Sequence, residues 1–198
     1  MSESTKPVIL VFTTAYKPFI GGAELAIEEI AKRLKNDFDF FIITARMKRD
    51  LPKNEQAPEG TIIRLGIGVP PLDKLLLPFL GFFKTLTIAK NRKTIFWGVM
   101  ISYASIAAFL MKFFKKDIPF ILTIQEGNRE WERFPSSWWW RIFFWKIRPE
   151  RSRRATIINQ VVCISNFLSD QIRKKGYHGP ISIVPNGVDE KFFHARES

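Results

Sequence analysis

The chain has 198 residues, 46% of them hydrophobic, with 31 lysines and arginines set against 19 acidic residues for a formal charge of +12. It is long enough to bury a real core as one large domain, and too apolar for disorder to be the default. The excess positive charge calls for an anionic partner: nucleic acid, a membrane surface or a phosphorylated substrate.

The opening "MSESTKP" is polar and has no apolar signal core, so secretion is not expected. "VILVF" within residues 7–13 reads as a strand, apolar throughout as a strand covered on both faces must be. A loop over 14–22 ends in Gly21-Gly22 and runs into an amphipathic helix over 22–35, where Ala23, Ala26, Ile27, Ile30 and Leu34 share one face. Glu28 and Glu29 precede Lys32 and Arg33 by four residues, the spacing of solvated helix ion pairs. A second apolar strand follows at 38–44. Residues 45–60, "ARMKRDLPKNEQAPEG", are polar and proline-bearing and are expected to form a mobile loop. A strand at 61–65, a loop at 66–72 and a helix at 73–91 come next.

Residues 95–111 hold no charge across 17 positions, at the short end for a membrane span. Strand-type residues lead and helix formers follow, which predicts a buried strand over 95–101 feeding a helix over 103–115. The remaining pattern is a strand at 118–124, a helix at 136–155, a strand at 159–164, a helix at 166–176 and a strand at 181–184. The single cysteine, Cys163, excludes a disulfide framework and fits a reducing compartment; in "QVVCIS" it reads as a small core residue. Ser165 reads as the cap of the next helix. Alternating strands and helices of this kind mean one α/β domain over 1–198, a parallel sheet with helices on its faces.

In such a sheet ligands sit beyond the C-terminal ends of the strands. That selects the loops 14–22, 66–72 and 125–135 and the turn after Ile164. Gly21 and Gly22 lie in the first. A helix N-terminus fronted by bare backbone can hold a phosphate, but glycines can equally serve a sharp turn and a cap. Neither a G-x-G-x-x-G fingerprint nor a P-loop is present.

The order of motifs is more specific. The "P-x-x-GG-x-E" loop, "PFILTIQEG", "VVCISNFLSDQIRKKGY" and "ISIVPNGVDEKFF" together resemble the N-terminal, acceptor-binding domain of family-4 glycosyltransferases of the GT-B fold, over residues 7–193. The resemblance implies a Rossmann-like, doubly wound, mainly parallel sheet with helices on both faces. In that family the N-terminal domain holds the acceptor and its glycine loop touches the diphosphate of a nucleotide-sugar donor. The C-terminal domain binds the donor, and transfer retains configuration. Carried over by position, Gly21 and Gly22 become the diphosphate loop. The segment 186–189 becomes the crossing into a donor domain that these 198 residues do not include. No cofactor or metal is implied, the nucleotide-diphosphate sugar being a substrate.

One position departs from the family. Where many members carry a histidine after the strand equivalent to "ILTI", this chain has Gln125, which can hydrogen-bond a hydroxyl but cannot take up a proton. Glu126 is the candidate acceptor-side base, with a sugar hydrogen-bonding role or a solvated loop position as alternatives. Gln125, Asn128 and Asn186 are candidate substrate contacts, although "P-N-G" is equally a turn signature. His178 and His194 are expected to be exposed.

Two segments concentrate the charge. Residues 73–93 carry five basic residues and one acid, and residues 129–154 carry eight and three. The second also holds five of the six tryptophans, including three in succession at 138–140, which span about 200° of a helix and cannot all face one core. Rings beside cations suit an anionic bilayer interface, and Trp138, Trp139, Arg141, Trp145, Lys146 and Arg148 are its candidate contacts. A protein interface, including one with the donor domain, and nucleic acid remain open, the last without a recognised module.

The expected function is the acceptor-binding domain of a retaining hexosyltransferase working on a lipid-linked or glycan acceptor in glycan biosynthesis. Its expected place is the cytoplasm, peripherally on the inner face of a membrane, with the donor domain supplied in cis or in trans. The alternative is a freestanding, non-catalytic binding subunit that requires a partner chain.

Overall fold

The computed structural model describes residues 6–125, 157–174 and 176–187. Eight strands form a single sheet: β1 (Val8–Phe12), β2 (Asp39–Ala45), β3 (Asn54–Ala57), β4 (Gly60–Leu65), β5 (Thr94–Val99), β6 (Phe120–Ile124), β7 (Gln160–Cys163) and β8 (Ile181–Ile183). Their spatial order is β3-β4-β2-β1-β5-β6-β7-β8, and only β3 runs antiparallel to its neighbour. Four helices are described: α1 (Gly22–Leu34), α2 (Pro70–Ile88), α3 (Tyr103–Phe114) and α4 (Asn166–Lys174). The doubly wound α/β architecture expected from sequence is therefore present.

Side chains alternate across the sheet with period two, so β1 feeds two cores. Val8, Leu10 and Phe12 pack with Leu77 of α2, Ala104, Ala107, Ala108 and Met111 of α3, and Leu168 and Ile172 of α4. Ile9 and Val11 face the other way, against Ala23, Ile27 and Ala31 of α1. Helices α2 and α3 approach closely where Gly81 meets Ala107; a β-carbon on Gly81 would stand 2.9 Å from the alanine methyl. The charge-free stretch resolves as β5 followed by α3. No described helix is long and apolar enough to cross a membrane.

Three local expectations are corrected. Within the predicted mobile loop, residues 54–57 pair antiparallel with β4 and close one edge of the sheet. The polar sequence "NEQA" can do this because an edge strand needs backbone partners and little apolar burial. Helix α2 begins at Pro70 rather than Asp73, since Pro70-Pro71 occupy its first turn, where a missing N–H costs nothing. In α1 the buried stripe is Ala23, Ile27 and Ala31, while Ile30 and Leu34 turn towards solvent. The predicted helix over 136–155 lies outside the described residues.

Candidate functional site

Strands β1 and β5 lie side by side, but the chain leaves β1 through α1 on one face and β5 through α3 on the other. This reversal opens a crevice at the C-terminal ends of the two strands, the place where open α/β sheets bind ligands. The loop from Thr13 to Gly21 forms one lip. Residues 100–102 form the other, with Met100 at φ 59° and its carbonyl held by Ser105 Oγ at 2.6 Å. That second lip was not among the loops expected from sequence, because strand order is not a local property.

The glycine loop is tied down at several points. Tyr16 is buried, and its phenol donates to Glu59 Oε1 at 3.0 Å. Lys17 Nζ bridges Glu59 Oε1 at 2.7 Å and Glu28 Oε1 of α1 at 2.8 Å, and Lys32 reaches the same Glu28 oxygen. Arg64 of β4 donates to the Lys17 carbonyl at 2.8 Å and pairs with Glu55 at 2.7 Å. Burial opposes the charge on Glu28, yet its hydrogen bonds from Lys17 and Lys32 prevail and hold the carboxyl below its ordinary range. Burial, then the charge of Glu59, raises the Tyr16 phenol far above its usual range. Of this anchor, sequence reading picked out only the helix ion pairs; nothing local links Tyr16 or Lys17 to Glu59.

Gly21 caps α1 with an extended backbone, and its N–H donates to Glu24 Oε2 at 2.9 Å. Gly22 begins the helix and is exposed. Neither has a positive φ. A β-carbon on Gly22 would meet nothing within 4 Å, and one on Gly21 would meet only the flexible end of Glu24. Neither turn geometry nor internal packing therefore demands glycine at 22. The first-turn N–H groups of α1 point out of the helix end without intrahelical acceptors, and the Glu24 carboxylate is already drawn to that positive end.

Gln125 ends β6 on the same edge, two strand spacings or about 10 Å from β1. Its Oε1 is buried without a hydrogen-bond partner, as is Thr14 Oγ1 at the end of β1. Asn186 is exposed three residues beyond β8, the edge strand that stands four positions from β1 in the sheet. Gly21 and Gly22 thus share one loop, while Gln125 stands midway in strand order between β1 and the β8 edge beyond which Asn186 lies. Glu126, Asn128, Trp138, Trp139, Arg141, Trp145, Lys146, Arg148 and His194 lie outside the described residues.

The bland readings of other residues hold. Ser165 Oγ accepts from the Leu168 N–H at 3.3 Å as a helix cap, Cys163 is buried with its thiol pushed up by burial, and His178 is exposed. Among the described residues no group of three or more His, Cys, Asp or Glu side chains could hold a metal.

No curated protein matches the chain. Among solved structures, a sucrose-phosphate synthase from Thermosynechococcus elongatus is similar at a TM-score of 0.61 and 14% identity, with 96% of this chain and 50% of that one covered. The chain spans about half the length of that relative. At this identity the likeness is one of fold, and the fold is that of GT-B enzymes. The family model for Glycosyltransferase Family 4 matches residues 20–192, from the glycine loop to three residues past the "VPNGVD" segment. The chain, with its Rossmann-like sheet and glycine-fronted α1, belongs to Glycosyltransferase Family 4 as an N-terminal domain of that family.

Proposed function

We propose that the chain is the acceptor-binding domain of a retaining glycosyltransferase that moves a sugar from a nucleotide-diphosphate donor to a lipid-linked or glycan acceptor at a membrane surface. The observation that carries the reading is Gly22. It stands exposed at a helix N-terminus in the switch-point crevice, with no conformational or packing reason to be glycine. A ligand that must touch backbone there supplies the reason.

In this reading the diphosphate meets the first-turn N–H groups of α1, and Glu24 swings off the helix end to admit it. Gln125 offers its unpaired oxygen to an acceptor hydroxyl. Glu126 serves as the acceptor-side base, Asn128 as a further sugar contact, and Asn186 acts near the crossing to the donor domain. The tryptophans and basic residues of 129–154 meet an anionic inner leaflet, and no metal or cofactor is required.

The test joins the chain to a family-4 donor domain and measures sugar transfer. Gly22→Val is expected to abolish transfer with the melting temperature kept, because its side chain occupies space that only a ligand would need. Unchanged transfer rejects the diphosphate role. The 198-residue chain alone supplies one wall of the cleft, and turnover by it unaided overturns the two-domain reading.

A further inference from the structure

Helix α2 is apolar on the side that faces away from the sheet. Leu77, Gly81 and Thr85 are buried inward, while Leu72, Leu75, Phe79, Phe83 and Leu86 recur at helical spacing on the opposite side. Phe79 is 60% exposed, Phe83 63% and Leu75 56%. No charged residue lies on that face over the 19 residues of the helix, a length of about 28 Å. The patch continues onto α3, where Phe114 packs on Phe82 with ring centroids 5.3 Å apart and is itself 71% exposed. Water should not face such a surface without cause.

The rim identifies the occupant. Exposed Lys90 and Lys93 follow the end of the helix, and exposed Lys115 and Lys116 follow Phe114 in the chain; Lys74 and Lys84 stand about 140° round the helix from Phe79, on its inward half, and do not border the strip. Along α2 and the residues that follow α3, the acids are Asp117, three residues past α3, and Asp73, which is buried and accepts from the N–H groups of Ile67, Gly68 and Val69. An apolar strip with four exposed lysines gathered at the end that carries Phe83, Leu86 and Phe114 complements a surface that is oily within and anionic outside. A donor domain facing the crevice would not cover it, because Phe83, Leu86 and Phe114 lie at the helix ends remote from the strands' C-terminal edge.

We infer that the outer face of α2, with Phe114, lies in the headgroup layer of an anionic membrane, its rings among the acyl chains and its lysines at the phosphates. The inference adds a second membrane contact to the proposed one at 129–154. It rests on that reading only for the location of the acceptor.

Co-sedimentation of the full chain with vesicles of mixed phosphatidylglycerol and phosphatidylcholine, and with phosphatidylcholine alone, tests it. Binding is expected to favour the anionic vesicles and to weaken with salt without vanishing. Phe79→Ser with Phe83→Ser should lower the partition constant about a hundredfold. Lys90, Lys93, Lys115 and Lys116→Gln should remove the preference for anionic lipid. All six side chains are at least partly exposed, so the melting temperature should hold. Absence of binding by the folded chain overturns the inference, as does binding that these variants leave intact and that alanine at Trp138, Trp139 and Trp145 abolishes. A chain that self-associates through Phe79 and Phe83 without binding vesicles assigns the face to a second copy and also overturns it. The assay requires no sugar transfer. Its failure therefore leaves the transferase reading standing, and loss of transfer to a soluble acceptor leaves vesicle binding untouched.

Discussion

Lys17 Nζ lies 2.7 Å from Oε1 of Glu59, a carboxylate whose side chain has no exposed surface, and this ion pair fastens the glycine loop to the β3–β4 turn. The same oxygen accepts the Tyr16 phenol, so two consecutive loop residues hang on one buried acceptor. Replacing Glu59 by alanine strands both donors and is expected to cost about 3 kcal/mol. Tyr16→Phe removes one hydrogen bond and should cost about 1 kcal/mol. Urea unfolding of the two single variants and the double should show coupling of at least about 0.5 kcal/mol; strict additivity would mean that Glu59 acts through Lys17 alone.

The acid limb of stability should depend on Glu28. Its carboxyl ionises more readily in the folded chain than at the ordinary value of 4.5. A lowered folded pKa contributes stability that is present above the unfolded value and is lost as pH falls through the folded one. Denaturation below pH 4.5 should therefore be less steep in Glu28→Gln than in the parent. Parallel acid limbs would assign the transition to other carboxylates.

The alkaline limb carries the opposite sign. Burial raises the Tyr177 phenol from 10.0 to about 12, and raises Tyr16 in the same direction. Groups raised on folding contribute stability that is full below the unfolded value and is lost as pH climbs through the folded one. Stability should fall above pH 10.0, and Tyr177→Phe should flatten the fall up to about pH 12. Unfolding followed against pH, with phenolate absorbance near the ultraviolet tyrosine band, reads both quantities.

Two glycines should respond oppositely to alanine. At Gly22 a β-carbon meets nothing and the backbone is helical, so Gly22→Ala should raise stability by about 0.5 kcal/mol. At Gly66 φ is 115° and a β-carbon would stand 2.3 Å from the Asp73 carboxylate, so Gly66→Ala should lower stability by more than about 1 kcal/mol. Asp73→Ala, which orphans three backbone donors, should cost about 3 kcal/mol. Thermal melts of the three variants decide the order.

The sequence by itself determined whatever local pattern controls. Apolar runs bounded by turn residues located the strands, and strand-type residues ahead of helix formers divided 95–111 into β5 and α3. Four-residue spacing placed Glu28 with Lys32 and Glu29 with Arg33, both of which pair. Ser165 ahead of "NFLSDQIRK" announced its cap. These outcomes depend on residues a few positions apart, so the chain carries them before it folds.

Only the tertiary structure decided the rest. "NEQA" has no apolar signal of its own and becomes β3 because β4 supplies hydrogen-bond partners. Ala31 rather than Ile30 or Leu34 faces the sheet, since the helix's rotation is set by what it packs on. The crevice exists because β5 inserts beside β1, and its second lip at 100–102 follows from that order alone. Glu59 joins Tyr16 and Lys17 across distant sequence, and the outward side of α2 could be recognised only once α3 and the sheet had claimed the inward one. Each of these rests on contacts between distant segments, whose energies no local window of sequence contains.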